Sequence, residues 1–415
     1  MIAVVVMALL CQPSVDLDPA VIAFARAASP VPPPPAEPTN ALADNPTAAT
    51  LGHMLFFDPA LSGRRDTSCA TCHDPALAFT DGRAVAEAAG SGSFNTPTVL
   101  GAAHHRWLFW DGRADSLWSQ ALGPIENPIE MDGSRLDAVR HVAETPPLRS
   151  LYESIAGPMP DISDTVRFPS GARPGTSSWE AMHPADRQTI DTAFATLGKA
   201  IAAYERLLQP GESDFDRWVA AVNAGTRDDD ILGEPAVRGL ALFAGAAGCR
   251  QCHFGPTLSD LEFHDLSLPP ADDATPHPGR GAGYPLLRAS AFRADGPHSD
   301  APESRKARRT AAIRIGTEHW GAFKTPSLRN VAATPPYMHA GNFETLTDVL
   351  TFYNTLEQQV RRHHHAEDVL RPLDFSPAQL ADLEAFLSAL TGDPPSTLLR
   401  SPPPETGIQN PETHE

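Results

Sequence analysis

Two short runs carry the chemistry that can be read first. Cys69-Ala-Thr-Cys72-His73 and Cys249-Arg-Gln-Cys252-His253 account for four of the five cysteines. Two thiols separated by two residues reach the two vinyl groups of one haem and form thioethers. The adjacent histidine then falls beneath the iron as its proximal ligand. A thioredoxin-like redox pair, a zinc pair or a structural disulfide are the other uses of Cys-x-x-Cys. Neither run sits near the βαβ pattern of a redox pair, and adjacent-cysteine disulfides are usually redox-active rather than stapling. The spacing therefore points to two covalently attached haems.

Covalent attachment of this kind takes place outside the bacterial inner membrane, so an exported, periplasmic chain is expected. Ile2 to Leu10 is an apolar run of signal-peptide length without a preceding Lys or Arg, and Ala25-Arg26-Ala27 offers a small-residue cleavage site behind Asp16 and Asp18. Cys11 is a second option, as a lipid-attachment cysteine, although the bulky Leu10 before it suits that role poorly. No later segment approaches the ~18 apolar residues of a membrane span. With 32 basic and 51 acidic residues the net charge is -19, which argues against nucleic acid or an anionic membrane as partner. Single acidic clusters such as Asp228-Asp229-Asp230 fit a solvated surface.

The elements that must hold the two runs are helical where they are regular. Apolar residues recur at helical spacing from Thr189 to Leu208, and Pro210 stops the pattern. Pro235 to Phe243 reads as a helix leading into the second run. Leu346 to Leu356 and Ser376 to Leu390 read likewise, the latter with Ser376 as N-cap and Pro377 at the first helical position. Strand signals are sparse, and 269–310 is rich in Pro, Gly and Arg, as loops are. The expected fold is mainly α, two cytochrome c-like haem domains with long loops. The boundaries are a leader at 1–27, a proline-rich linker at 28–44, domains at 45–230 and 231–392, and a disordered tail at 393–415.

A second layer of motifs surrounds the two runs. Asn95-Thr-Pro-Thr98 is followed by Phe109-Trp110-Asp111-Gly112-Arg113-Ala114, then Gln120, Gly123-Pro124 and Glu130-Met131. In the second half Lys324-Thr-Pro-Ser-Leu-Arg-Asn330 precedes Pro336-Tyr337-Met338-His339-Ala340-Gly341 and Phe352-Tyr353-Asn354. In this order, from about residue 45 to about 392, the set resembles the bacterial dihaem cytochrome c peroxidase and MauG superfamily.

The resemblance implies a role for each matched position. His73 and His253 correspond to the proximal ligands, and Trp110 to the tryptophan that relays electrons between the haems. Gln120, Pro124 and Glu130 correspond to the distal pocket of the N-terminal, peroxide-binding haem, where a carboxylate can move the peroxide proton. Asn95, Thr334 and Pro336 correspond to residues around a calcium ion between the domains, the last two through backbone carbonyls. His339 corresponds to a histidine near the inter-haem region.

Two positions separate the branches. The loop Asp74 to Phe94, where peroxidases often carry a capping histidine, contains no His, Met, Lys, Tyr or Cys, and Glu87 is a poor iron ligand. An open N-terminal haem follows. The peroxidases' methionine ligand to the C-terminal haem falls fourteen residues after the histidine matched by His339; here that position is Tyr353, as in MauG. A phenolate favours higher oxidation states of iron, whereas a thioether favours the reduced one. Met338 and Met131 remain competing ligands. His363-His364-His365 reads as a solvated loop before it reads as a metal site, and His104-His105 has no assigned role.

On both counts the chain leans toward the MauG-like branch. It is then an oxidoreductase that uses hydrogen peroxide and shares the oxidising equivalents between haems to attack an external substrate, a partner protein among the options. The alternatives are a cytochrome c peroxidase fed by a small cytochrome c or a copper protein, and a non-catalytic electron-transfer cytochrome. The intact mass of the exported protein should exceed the chain by two haem groups, and by one after C249A/C252A. An unchanged mass on that substitution removes the second attachment site.

Overall fold

The computed structural model describes residues 15–269, 277–360 and 367–404, and these are mainly helical. Cys11 and the His363–His365 run lie outside the described residues.

The first core forms around the helix Pro184–Glu205. Its apolar stripe, Ile190, Phe194, Leu197, Ile201 and Tyr204, is fully or almost fully buried. The helix starts five residues before the hydrophobic periodicity does, because Pro184 fits the first helical position and His183 Nδ1 accepts from Ala185 N at 3.2 Å. Helices Pro46–Phe56, Leu117–Glu126 and Arg135–Glu144 pack around it, and Pro146–Ala156 packs on Pro46–Phe56 and Arg135–Glu144. A Cβ on Gly52 would lie 1.9 Å from the Ala200 carbonyl oxygen, so only glycine lets the first of these cross so closely.

The second core joins helices Glu234–Ala244, Leu346–Thr355 and Pro377–Ser388. Ser376 caps the last of these and Pro377 opens it, as the sequence indicates. Phe386 stands between Phe243 and Phe215, with ring centroids 5.1 Å and 5.6 Å away. Among the described residues, sheet is confined to the antiparallel pair Phe263–His264 and Phe323–Lys324, in register Phe263 to Lys324. No described helix is long and apolar enough to cross a membrane.

Four expected boundaries differ from the structure. Helix Asp214–Asn223 buries Phe215, Trp218 and Val219 in the second core, so the limit at 230 cuts through that domain. Helix Pro19–Ala28 buries Val21, Ala25 and Ala28 in the same core, so the limit at 27 falls inside an element of the second domain. The linker 28–44 is anchored: Trp118 Nε1 donates to Thr39 Oγ1 at 3.0 Å, and Arg206 binds Asp44 at 2.7 Å. The tail is ordered to residue 404, its Ser401 carbonyl bonding His53 Nε2 at 2.8 Å and its Leu399 carbonyl accepting from Tyr204 Oη at 2.5 Å. Proline-rich composition hid these contacts because single polar atoms, not an apolar stripe, make them.

The long segment 277–313 is not all loop. It forms helices Arg280–Ala289 and Arg305–Ala312 and lies on the first domain, although its sequence belongs to the second half. Phe292 enters the first core beside Phe194, and buried Asp115 Oδ2 accepts from Ala294 N and Thr310 Oγ1, both at 2.8 Å.

One buried ion pair ties three segments of the second domain. Arg329 donates to Asp216 Oδ2 at 2.7 Å and to the Ala28 carbonyl at 2.6 Å. Ser29 Oγ and Ser213 Oγ donate to the same carboxylate. Burial works against the Asp216 charge, yet Arg329 and the two hydroxyls hold its carboxyl below the ordinary range. D216A strands the guanidinium in the core and should lower the unfolding free energy by about 3–5 kcal/mol, measured by urea denaturation of the holoprotein at pH 7. A loss below about 1 kcal/mol would show the pair to be dispensable.

Candidate functional site

Each Cys-x-x-Cys-His run is built to present one imidazole nitrogen. In the first, Thr71 Oγ1 accepts from Ser68 N at 2.9 Å and opens the short helix Cys69–Cys72. The chain then turns through Ala78 and Phe79, both at positive φ, so that His73 Nδ1 bonds the Phe79 carbonyl at 3.1 Å. In the second, His253 Nδ1 bonds the carbonyl of Leu258, also at positive φ, at 2.8 Å. An imidazole that donates from Nδ1 keeps the Nε2 lone pair for a metal. Burial depresses both histidines below their ordinary range, which keeps them neutral, as ligation requires.

Burial lifts the thiols instead, Cys72 to about 11 and Cys249 to about 12. That is the reverse of the lowered thiol in a redox-active Cys-x-x-Cys. The described cysteines are free rather than disulfide-bonded. A cavity of about 480 Å³ opens beside the second run, lined among others by Cys249, Cys252, His253, Leu350, Met338 and Tyr353. Its size, apolar walls and two thiols suit a covalently held planar macrocycle. At the first run the matching feature is Glu205. Its carboxyl is buried beside Cys69, its Oε2 has no hydrogen-bond partner among the described residues, and burial pushes it up to about 8.

Glu130 stands at the first site, close enough to Cys72 to repel its thiolate. The Pro124 carbonyl accepts from Met131 N at 3.2 Å and so folds the turn that delivers Glu130. Asn127 Nδ2 donates to Glu130 Oε1 at 2.7 Å, and Arg113 lies 3.9 Å from it. Burial lifts the Glu130 carboxyl above its usual range, while Arg113 and Asn127 pull it back. Gln120 is half-buried on the helix Leu117–Glu126 that also carries Pro124. Glu87 turns to solvent and pairs with Arg83 at 2.9 Å. Met131 is buried in the first core, which withdraws it as a ligand of the second haem.

Between the sites runs a strap of residues 105–113. Trp110 lines the second cavity, and its Nε1 donates to the Asn95 carbonyl at 2.9 Å. Asn95 N donates in turn to the His339 carbonyl at 2.9 Å, which draws Asn95 to the loop carrying Thr334 and Pro336. The adjacent Phe109 ring lies 3.6 Å under the Arg113 guanidinium, the group that reaches toward Glu130. Trp110 is thus one side chain removed from the first pocket while facing the second. His339 stacks on Phe323 at 3.6 Å and is depressed to about 3 by burial and by His277.

Tyr353 projects from helix Leu346–Thr355 into the second cavity, and burial pushes its phenol well above the ordinary tyrosine range. A phenol so placed ionises only when a cation such as a bound iron faces it.

Three groups here escape sequence reading. Lys324 N bonds the Trp110 carbonyl at 2.9 Å, its Nζ lies 3.2 Å from His105 Nδ1, and burial lowers it to about 8. His264 sits between Asp260 at 2.7 Å and Glu367 at 2.6 Å, and Asp260 foremost raises it to about 11. Glu205 is the third, and only it left a trace: it falls on the apolar face of its helix, four residues after Ile201.

Residues 46–224 match the family model for di-haem cytochrome c peroxidase. The chain is 33% identical to the methylamine utilization protein MauG of Methylorubrum extorquens over 373 residues, 89% of this chain and 84% of that one. This chain belongs to the di-haem cytochrome c peroxidase family. A second member, cytochrome-c peroxidase IdrP1 of Denitromonas iodatirespirans, is 32% identical over 369 residues, 86% of this chain and 85% of its own. The crystal structure of a MauG-like protein associated with microbial copper homeostasis superposes with a TM-score of 0.63 at 25% identity. It covers 90% of this chain and 97% of the other. As a di-haem peroxidase-family oxidoreductase the protein carries two haems, and its reaction involves hydrogen peroxide and a redox partner.

The raised Glu130 carboxyl gives its proposed role as proton acceptor a pH signature. Its carboxylate accepts a proton only above its pKa, so the peroxide reaction should slow as pH falls through a value above the usual 4.5. E130Q should lower the rate constant by about 10²–10⁴ and remove that acid limb. Stopped-flow mixing with peroxide across pH 4–8 measures both, and an unchanged limb in E130Q assigns the base elsewhere.

Proposed function

We propose that this protein is a MauG-like enzyme that consumes hydrogen peroxide at its N-terminal haem and shares the oxidising equivalents with its C-terminal haem to oxidise an external protein substrate. The observation that carries this reading is Tyr353, which lines the second cavity together with Cys249, Cys252 and His253. The likeness to MauG over most of both chains supports it.

Bound haem supplies the iron that reduces peroxide and a second redox centre that can share the charge. The chain's own residues do the rest. Glu130 takes the proton of incoming peroxide and returns it to the departing oxygen, so that two electrons and two protons yield two waters. Arg113 and Asn127 hold that carboxylate in place, and Gln120 and Pro124 shape the pocket. Trp110, fixed by Asn95, offers an aromatic path between the two sites. Tyr353, or its competitor Met338, would close the second haem. Asn95 and the carbonyls of Thr334 and Pro336 would hold a calcium ion. Haem attachment of this type assigns the mature protein to the periplasm.

Met338 lines the same cavity and favours a second reading, a cytochrome c peroxidase that draws electrons from a small cytochrome c or a copper protein. Peroxide added to the diferric protein separates the two. Shared oxidation changes the spectra of both haems, and Y353F alters the C-terminal haem spectrum while M338L does not. A change confined to the N-terminal haem, or rapid turnover with reduced cytochrome c, selects the second reading.

A further inference from the structure

The chain is acidic overall, yet five cations fall within ten residues: Arg305, Lys306, Arg308, Arg309 and Arg314. Helix Arg305–Ala312 buries Ala307 and Thr310 against the first domain, which turns the charged side outward. Lys306 alone is neutralised, by Glu37. No carboxylate lies within ion-pair distance of Arg305 or Arg309 among the described residues. Arg106, from a different segment, completes the cluster. Its charge and that of Arg305 both bear on Arg309, which burial first and these two neighbours next hold below the ordinary arginine range. Glu262, the opposing charge that acts on Arg309, is already engaged by Arg106 at 2.8 Å.

Like charges that outnumber their counter-charges, as Arg305 and Arg309 do here beside the Arg106–Glu262 pair, destabilise a surface, and an oppositely charged partner relieves that repulsion. The cluster also has a meaningful place. Arg106 lies at the start of the strap, between His105, bonded to Lys324, and Trp107, over which Arg280 lies at 4.7 Å, three residues before the Phe109-Trp110 pair. We propose that Arg106, Arg305 and Arg309 form a docking face for an acidic partner protein, which they seat over the segment joining the two haem sites.

A compact protein with one acidic face suits this surface better than an anionic bilayer or a polynucleotide. Those extended polyanions meet the whole molecule, whose net charge is -19, and are repelled by it. A local acidic face meets only the patch, because charges beyond about 8 Å are screened at physiological salt. The proposal does not depend on which peroxide reaction follows docking, and it is tested without peroxide.

The test uses the diferric holoprotein at about 0.1 M salt, where the screening length is about 10 Å. The probe is plastocyanin, a small copper protein with an acidic face, and surface plasmon resonance gives the association rate. R305E/R309E should slow association about tenfold or more, R106E should slow it in the same direction, and R305K/R309K should stay within about twofold. Because Arg106 lies outside the helix, agreement between the two reversals excludes local unfolding as the cause. Unchanged haem spectra and thermal midpoints confirm that. The proposal is overturned by absence of plastocyanin binding, by insensitivity to both reversals, or by phosphatidylserine vesicles binding where plastocyanin does not.

Discussion

The hydrogen bond from Trp110 Nε1 to the Asn95 carbonyl is the joint on which the arrangement of the two haem sites depends. A buried indole N–H without an acceptor costs the full penalty of its desolvation, so the ring has one favourable seat. That seat faces the second cavity, while the next residue back, Phe109, serves the first pocket through Arg113. Asn95 also reaches the His339 carbonyl, and the Trp110 carbonyl accepts from Lys324. A short strap from the first domain is thereby held by Asn95, itself tied to the His339 loop, on one edge and by Lys324 of the second half on the other.

The electrostatics around that joint follow one rule, that burial decides which form of a group persists. It keeps the two proximal imidazoles neutral, holds protons on Glu130 and Glu205 beyond the usual carboxylate range, and weakens the charge of Lys324. His264 is the exception because two carboxylates flank it. Neutral histidines can bind iron, and a carboxyl near its working range can exchange protons, so the same desolvation prepares the first site for ligation and for acid–base work.

What could be read in the sequence was what local geometry enforces. Cys69-x-x-Cys72-His73 needs only one turn of chain, Ser376-Pro377 states its own cap, and Tyr353 is placed by fixed spacing from His339. What could not be read depends on partners distant in the chain. Helix Asp214–Asn223 is amphipathic and would suit either core; only Arg329, more than a hundred residues later, fixes Asp216 in the second. The proline-rich stretches looked structureless because Thr39, Leu399 and Ser401 are held through single polar atoms rather than an apolar stripe. Lys324 was quoted within its motif, but nothing local revealed that it is buried against His105.

The first core takes Phe292 from the segment 277–313, and the chain's last described turn sets Leu399 and Ser401 on Tyr204 and His53. In the order of the chain, the first core is therefore completed only by segments near residues 292 and 400, long after the helices that build most of it. Until those segments are present, Phe194 lacks the ring that Phe292 lays against it, and Tyr204 and His53 lack the carbonyls that satisfy them, so this core stays open along one flank while the rest of it is already formed.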